Sequence, residues 1–195
     1  MTHLGSALKQ YVATWHALPT QVVRDNDGRP LLSWRVLLLP HVGETDLHDE
    51  LHLSEPWDSE HNAAILARRP PIFGSDHLLG PDAGRTRIVA ITGASTLFPD
   101  DDEVSQLELV QVLATTPLLV TLPHELAVPW TAPADWSIGT PIPKADGDST
   151  RTPMVLEWSG KVRPLRPDDL AVPRQPAVAA PVESDPPDDN ANEIE

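Results

Sequence analysis

The chain has no cysteine, which excludes a disulfide framework and thiol chemistry and leaves the redox compartment open. Basic residues are scarce as well, 14 Lys and Arg against 29 Asp and Glu, for a net charge of -15. Sequence-independent nucleic-acid binding needs clustered cations to displace counterions from phosphates, so that class is disfavoured, and so is adhesion to anionic lipid. No apolar run approaches the roughly 18 residues of a membrane helix, and Met1-Thr-His-Leu-Gly lacks the basic and apolar regions of a signal peptide. No glycine loop of the phosphate- or dinucleotide-binding kind is present, nor a G-x-S-x-G nucleophile elbow, so no cofactor and no catalytic residue is indicated.

What is abundant is proline, 22 residues, so the chain needs many loops and stops and cannot be all helix. Leu4, Leu8, Tyr11, Val12 and Trp15 recur at helical spacing. They predict an amphipathic helix to about His16, with Thr2 as its cap. Asp25-Asn-Asp-Gly28 reads as a turn. Ser33 to Pro40 suits either a buried strand or a short helix capped by Ser33, and the helix is the preferred reading. Thr45 is expected to cap a second short helix through Leu53, with Leu47 and Leu51 on one face.

The stretch SEPWDSEHN, residues 54–62, packs a tryptophan, acids and a histidine together. Pro56 holds Glu55 extended. Asp58 or Ser59 can then cap a helix from Glu60 to Arg68, which Pro70-Pro71 ends. The stretch therefore reads as a structural joint, with Trp57 as its anchor. Further on, 87–92, 117–122, 154–158 and 161–163 read as strands, the last two joined by a tight turn at Ser159-Gly160. Val104 to Leu113 fits neither period. Residues 171–195 are rich in Pro, Ala and acids and are expected to form a disordered tail after a domain of residues 1–170.

Taken together, LGSALKQY (4–11), DGRPLLSWRVLLLP (27–40), LHLSEPWDSEHNAAILAR (51–68) and AVPWTAPADW (127–136) resemble a large bacterial family of prepilin-like domains of unknown function. Its members often carry a C-terminal His-x9-Asp-Gly motif, and some were formerly labelled solute-binding. The resemblance runs over about residues 4 to 166. It implies an α+β, pilin-like fold: an N-terminal helix packed on an antiparallel sheet, with short helices in the region between. It also implies a non-catalytic, pseudopilin-like structural or protein-interaction role with a protein partner. Family members begin with a prepilin cleavage site and an apolar helix that runs into the LGSALKQY region; the sequence here starts at Met1, so only the soluble end of that helix is expected. If an upstream start restores it, the family context implies the cell envelope. The motif's His and Asp fall at Ser149 and Ser159, and only Gly160 matches.

Two groups of residues remain as candidates for chemistry. His48 and His52, four apart in HDELH, would share one helix face and could hold zinc, although Asp49 stands where the H-E-x-x-H motif has Glu. Asp100, Asp101, Asp102 and Glu103 could bind calcium, although they lack the spaced ligand pattern of a calcium loop. Trp15, Trp34, Trp57, Trp130 and Trp158 are expected as core anchors, and Trp136 as partly exposed.

Overall fold

The computed structural model describes residues 1–74, 82–93, 96–99, 114–142 and 152–171. The acidic run 100–103, the ambiguous 104–113 and the tail from 172 lie outside the described residues. The architecture is α+β, with an N-terminal helix and antiparallel and mixed sheets.

Helix α1 spans Thr2–Trp15 and buries Leu4, Ala7, Leu8 and Val12, the i, i+3, i+4 stripe of a helix with one apolar face. Each of the larger side chains contributes about 1.5–3 kcal/mol by transfer arithmetic, an upper estimate because unfolded chains already bury some surface. Met1, not Thr2, occupies the cap position, and no side chain caps the helix. The helix stops at His16, whose backbone turns left-handed (φ 60) and donates its N–H to the Val12 carbonyl. Gly5 packs on Gly160 and Leu156, so a Cβ there would lie 3.4 Å from the Gly160 Cα. The last turn lies about 15 Å further along the axis. There Tyr11 meets His41 edge-on, and Trp15 leans on Tyr11 with 63% of its surface exposed. The expectation that Trp15 anchors the core is therefore wrong: its only described ring contact is with Tyr11, and most of its surface is open.

Strands β1 (Val22–Arg24) and β2 (Pro30–Ser33) form an antiparallel hairpin. The Asp25 carboxylate closes its turn by accepting the N–H groups of Asp27 and Arg29. Of the two readings of Ser33 to Pro40, the short helix capped by Ser33 holds, and the buried strand does not, since only Ser33 belongs to a strand. The strand runs to Ser33, and the Ser33 hydroxyl accepts the Arg35 N–H and starts α2 (Trp34–Leu37). A 3-10 turn, Leu39–Val42, follows, with Pro40 in its first turn. Helix α3 covers Thr45–Glu50, with Glu44 rather than Thr45 at the cap position, and ends before Leu51, which is extended. Leu47 and Leu51 are both buried. Helix α4 is Glu60–Ile65, continued by a 3-10 turn, Leu66–Arg68.

The remaining strands are β3 (Arg85–Thr86), β4 (Ile88–Thr92), β5 (Pro117–Thr121), β6 (Val128–Pro129), β7 (Trp136–Ser137), β8 (Met154–Glu157) and β9 (Val162–Pro164). Strands β3 and β6 pair with each other, and five strands form the main sheet in the order β7-β4-β5-β8-β9. Only the β4–β7 pair is parallel; the others are antiparallel. The hairpin between β8 and β9 closes through Gly160, whose N–H reaches the Glu157 carbonyl at φ 92, a conformation that favours glycine.

Both faces of the sheet are covered, which explains why its strands read as nearly unbroken apolar runs. Ile88, Ala90, Leu119 and Leu156 face α1 and the short helices. Val89, Ile91, Val120 and Val155 face a smaller cluster with Leu122 and Leu170. Between the helical region and the sheet, Trp34 packs on Phe73 and Phe98, and Phe73 stacks on Trp130 at 6.0 Å. Trp130 donates its indole N–H to the Leu66 carbonyl at 2.9 Å, the partner a buried tryptophan needs. Trp158 is half-buried against the main core, and Trp136 is half-buried with its N–H on the Thr140 carbonyl. Among the described residues no helix is long and apolar enough to cross a membrane.

Candidate functional site

The polar density of residues 54–62 resolves into a joint built around Asn62, which is fully buried. Its amide oxygen accepts the His52 N–H at 3.0 Å, and its amide nitrogen donates to the carbonyls of His52, Glu55 and Pro56 at 3.0–3.3 Å. A single side chain thereby replaces the secondary structure that the loop between α3 and α4 lacks. Ser59, not Asp58, is the cap, its hydroxyl accepting the Asn62 N–H at 3.2 Å. Asp58 is exposed. Trp57 ties the joint to the hairpin: its N–H donates to the Leu31 carbonyl at 2.8 Å, and its half-buried ring packs on the core.

His48 and His52 are not brought onto one helix face. Helix α3 ends at Glu50, so His52 leaves the helical face that the spacing assumes. His48 pairs with neighbouring Asp49, whereas His52 donates from Nδ1 to Glu55 at 2.9 Å. His52 also stacks face to face on His61, ring centroids 3.5 Å apart, and His61 donates from Nε2 to the Glu50 carbonyl. Parallel rings in van der Waals contact cannot both aim an in-plane lone pair at one ion. Hydrogen bonds from the Ser59 side chain and then His52 hold the Glu55 carboxyl below its usual range. Among the described residues, no three His, Asp or Glu side chains converge as metal ligands. Of the positions aligned with the family's His and Asp, Ser149 lies outside the described residues. Ser159 is exposed in the β8–β9 hairpin, with its carbonyl accepting Lys9 Nζ at 2.9 Å.

Sequence reasoning did not identify the most buried charges. Arg35 and Asp135 form an ion pair at 2.9 Å with both side chains fully buried. One carboxylate oxygen of Asp135 accepts Arg35 Nη2, the Trp34 indole N–H and the Ala90 backbone N–H. Arg35 spends its remaining donors on the Ile88 carbonyl and the Ser33 hydroxyl. This node fastens α2, strand β4 and the 134–136 segment together. Desolvation lowers the Arg35 pKa, and the charge and hydrogen bond of Asp135 oppose that shift. A second network covers the other face of the sheet, where Arg163 bridges Glu157 and, through two hydrogen bonds of 2.6 Å, Asp169. Hydrogen bonds to Asp169 and Glu157 raise the Arg163 pKa against a desolvation penalty. For Asp169, burial pushes the pKa up, but Arg163 and the Arg166 N–H outweigh it and hold the carboxyl below its usual range. A lone arginine within the apolar run SWRVLLLP was the available signal for the first network.

A cleft of about 680 Å³ opens where β4 begins, β5 ends and β8 begins. Ile88, Thr121 and Met154 contribute from the strands, Glu44 and Ile72 from the segments that flank them, and Arg87 from the residue before β4. None of the residues that the sequence offered as metal ligands lines it.

Comparison with curated proteins and with solved structures found no match. A family model matches residues 1–88, which run from α1 through both short-helix segments and the Asn62 joint to the first residue of β4. The C-terminal portion of the resemblance, the 127–136 segment and the β8–β9 hairpin, lies beyond that match. Residues 1–88 are thus similar to the family described as Protein of unknown function (DUF1559).

Proposed function

We propose that this chain is a non-catalytic structural or protein-interaction module of pseudopilin-like architecture. The observation that carries this reading is α1 laid along the sheet, with Gly5 against Gly160 and the Leu4, Leu8, Val12 stripe in the core. The use of the polar side chains supports it as well. Asn62, Ser59, His52 and His61 close a joint, and Arg35 and Asp135 hold elements together, so these groups serve structure rather than a reacting substrate. The test combines two measurements on the purified full chain. Deleting residues 1–16 is expected to unfold or aggregate it, as seen by circular dichroism and ultracentrifugation. Metal analysis and a turnover screen with hydrolase substrates are expected to find neither a stoichiometric metal nor turnover. A folded truncation would overturn the architecture. Turnover would overturn the non-catalytic role, and one calcium per chain would favour a binding module instead.

A further inference from the structure

We propose that strand β9 is a guarded edge: Pro164 and the Arg163–Asp169 pair keep the main sheet from pairing with a second copy of this chain. Among the described residues β9 has one neighbour, β8, so its other side ends the sheet. An open edge presents unpaired N–H and C=O groups and templates the addition of another strand. The register tells which groups those are. Glu157 donates its N–H to the Lys161 carbonyl, and Leu165 donates its own to the Pro153 carbonyl. Bonding alternates along an antiparallel pair, so Lys161, Arg163 and Leu165 turn their backbone groups toward β8. Val162, Pro164 and the still extended Arg166 turn theirs outward.

Two of those three residues are closed. Pro164 has no N–H to give, and its carbonyl accepts Arg163 Nη1 at 3.1 Å. Arg166 donates its N–H to Asp169 Oδ2 at 2.6 Å, and its carbonyl accepts the Asp169 N–H. The Asp169 carboxylate serves both positions, because its two bonds to Arg163 hold the guanidinium beside Pro164. Val162 alone turns out a donor and an acceptor that neither device takes, and a ladder needs such groups on alternate residues. Pro164 is exposed at the edge, with the buried Arg163 beneath it. The opposite edge, β7, is two residues long, too short to template a strand. Contacts between copies therefore fall to side-chain surfaces rather than to the main sheet's edges. This inference goes beyond the proposed structural role, which does not say which surface an assembly can use, and it stands or falls independently of it.

The experiment restores the missing donor in the full chain. Pro164→Thr puts an N–H and a strand-favouring side chain at an exposed position. This variant should self-associate between about 10 µM and 1 mM in sedimentation runs, a range that covers weak pairing. Over the same range hydrogen exchange of its Val162 amide should slow about tenfold, as expected of an amide paired most of the time. The wild-type Val162 amide should exchange at a rate independent of protein concentration. A folded Pro164→Thr chain that matches the wild type in association and in Val162 exchange would overturn the guard. Association of the variant without Val162 protection would place the contact elsewhere and overturn it as well. Val162 protection that grows with concentration in the wild type would show an edge already in use, and this measurement decides even where the variant fails to fold.

Discussion

The Asn62 joint and the Arg35–Asp135 node both bury strong hydrogen-bonding groups, and they differ in reach and in charge. Every partner of the Asn62 side chain lies within 10 residues of it, and all are neutral backbone groups. The partners of Arg35 and Asp135 include each other across 100 residues of sequence and Ile88 across 53, and the pair is ionic. The joint gives one loop its shape. The node sets how the helical region sits on the sheet, because it ties α2 both to β4 and to the segment that leads into β7. A neutral local device costs little to desolvate, whereas a buried ion pair depends on both partners being present.

The largest expected effect comes from breaking that node. Removing one member leaves the other buried without a counter-charge, so Asp135→Ala should destabilise by about 3–5 kcal/mol in urea melts. Replacing both, as Arg35→Met with Asp135→Leu, should recover much of that loss, since an apolar pair of similar size avoids the desolvation penalty. If Asp135→Ala melts within error of the wild type, water reaches Arg35 and the contrast with Asn62 disappears.

Asn62→Ala comes next. It strands the His52 N–H and three carbonyls, and backbone groups left unsatisfied on burial cost about 1–3 kcal/mol in total where water can reach some of them. The loss should stay local. Hydrogen exchange at the loop of residues 51–59 should rise, while β4 and β5 stay protected. An equal rise across the sheet would mean that the joint shares the node's long reach.

These two devices also mark how far the sequence could be read. Its legible part is local: the apolar stripe of α1, the Asp25 turn, Ser33 and Ser59 as caps, and Gly160 in a hairpin all announce themselves within a few residues. Ser33 to Pro40 allowed a strand as well as a helix because its run is apolar throughout, and the Ser33 cap decided for the helix. What was not legible depends on partners distant in sequence. Nothing near Arg35 identifies Asp135, and strands of two residues such as β3, β6 and β7 show no period at all. Trp15 has a core position by spacing yet stands largely exposed at the end of α1. The HDELH pair failed for a related reason, since spacing assumes a helix that continues and Leu51 ends it. The cleft arises from strand ends and flanking segments, which no motif joins.

Acid offers a third way to separate ionic from neutral devices. The folded-state pKa of Asp169 is depressed despite its burial, because Arg163 and the Arg166 N–H favour the carboxylate. A depressed carboxylate contributes stability that is fully present above its unfolded value of about 4. That contribution is lost as pH falls through the lower folded value. The melting temperature should therefore drop in this acid window, and Asp169→Asn should make the drop shallower. The bonds of the Asn62 side chain are neutral and should hold over the same range, whereas the Glu55 carboxyl at the rim of the joint, held below its usual range by Ser59 and His52, should lose its contacts in the same acid window. Local exchange of residues 51–59 would separate the two. A melting curve equally steep in Asp169→Asn would assign the acid sensitivity to other carboxylates.

The smallest effect concerns the two neighbours that the sequence offered as alternative caps. Ser59 accepts the Asn62 N–H and so supports both α4 and the residue at the centre of the joint. Its loss in Ser59→Ala should cost about 1 kcal/mol, the usual worth of a cap. Asp58 is exposed and makes no cap bond, so Asp58→Ala should stay within about 0.5 kcal/mol of wild type. The pair sharpens the comparison because the substitutions sit side by side at the same helix end. A helix-dipole contribution from the Asp58 carboxylate would be screened by salt, whereas the Ser59 bond would not. Urea melts at low and high salt therefore separate the two terms. If Asp58→Ala proves the costlier at both salt concentrations, the cap bond belongs to Asp58 in solution, and the joint is rebuilt around a charge like the node it is contrasted with.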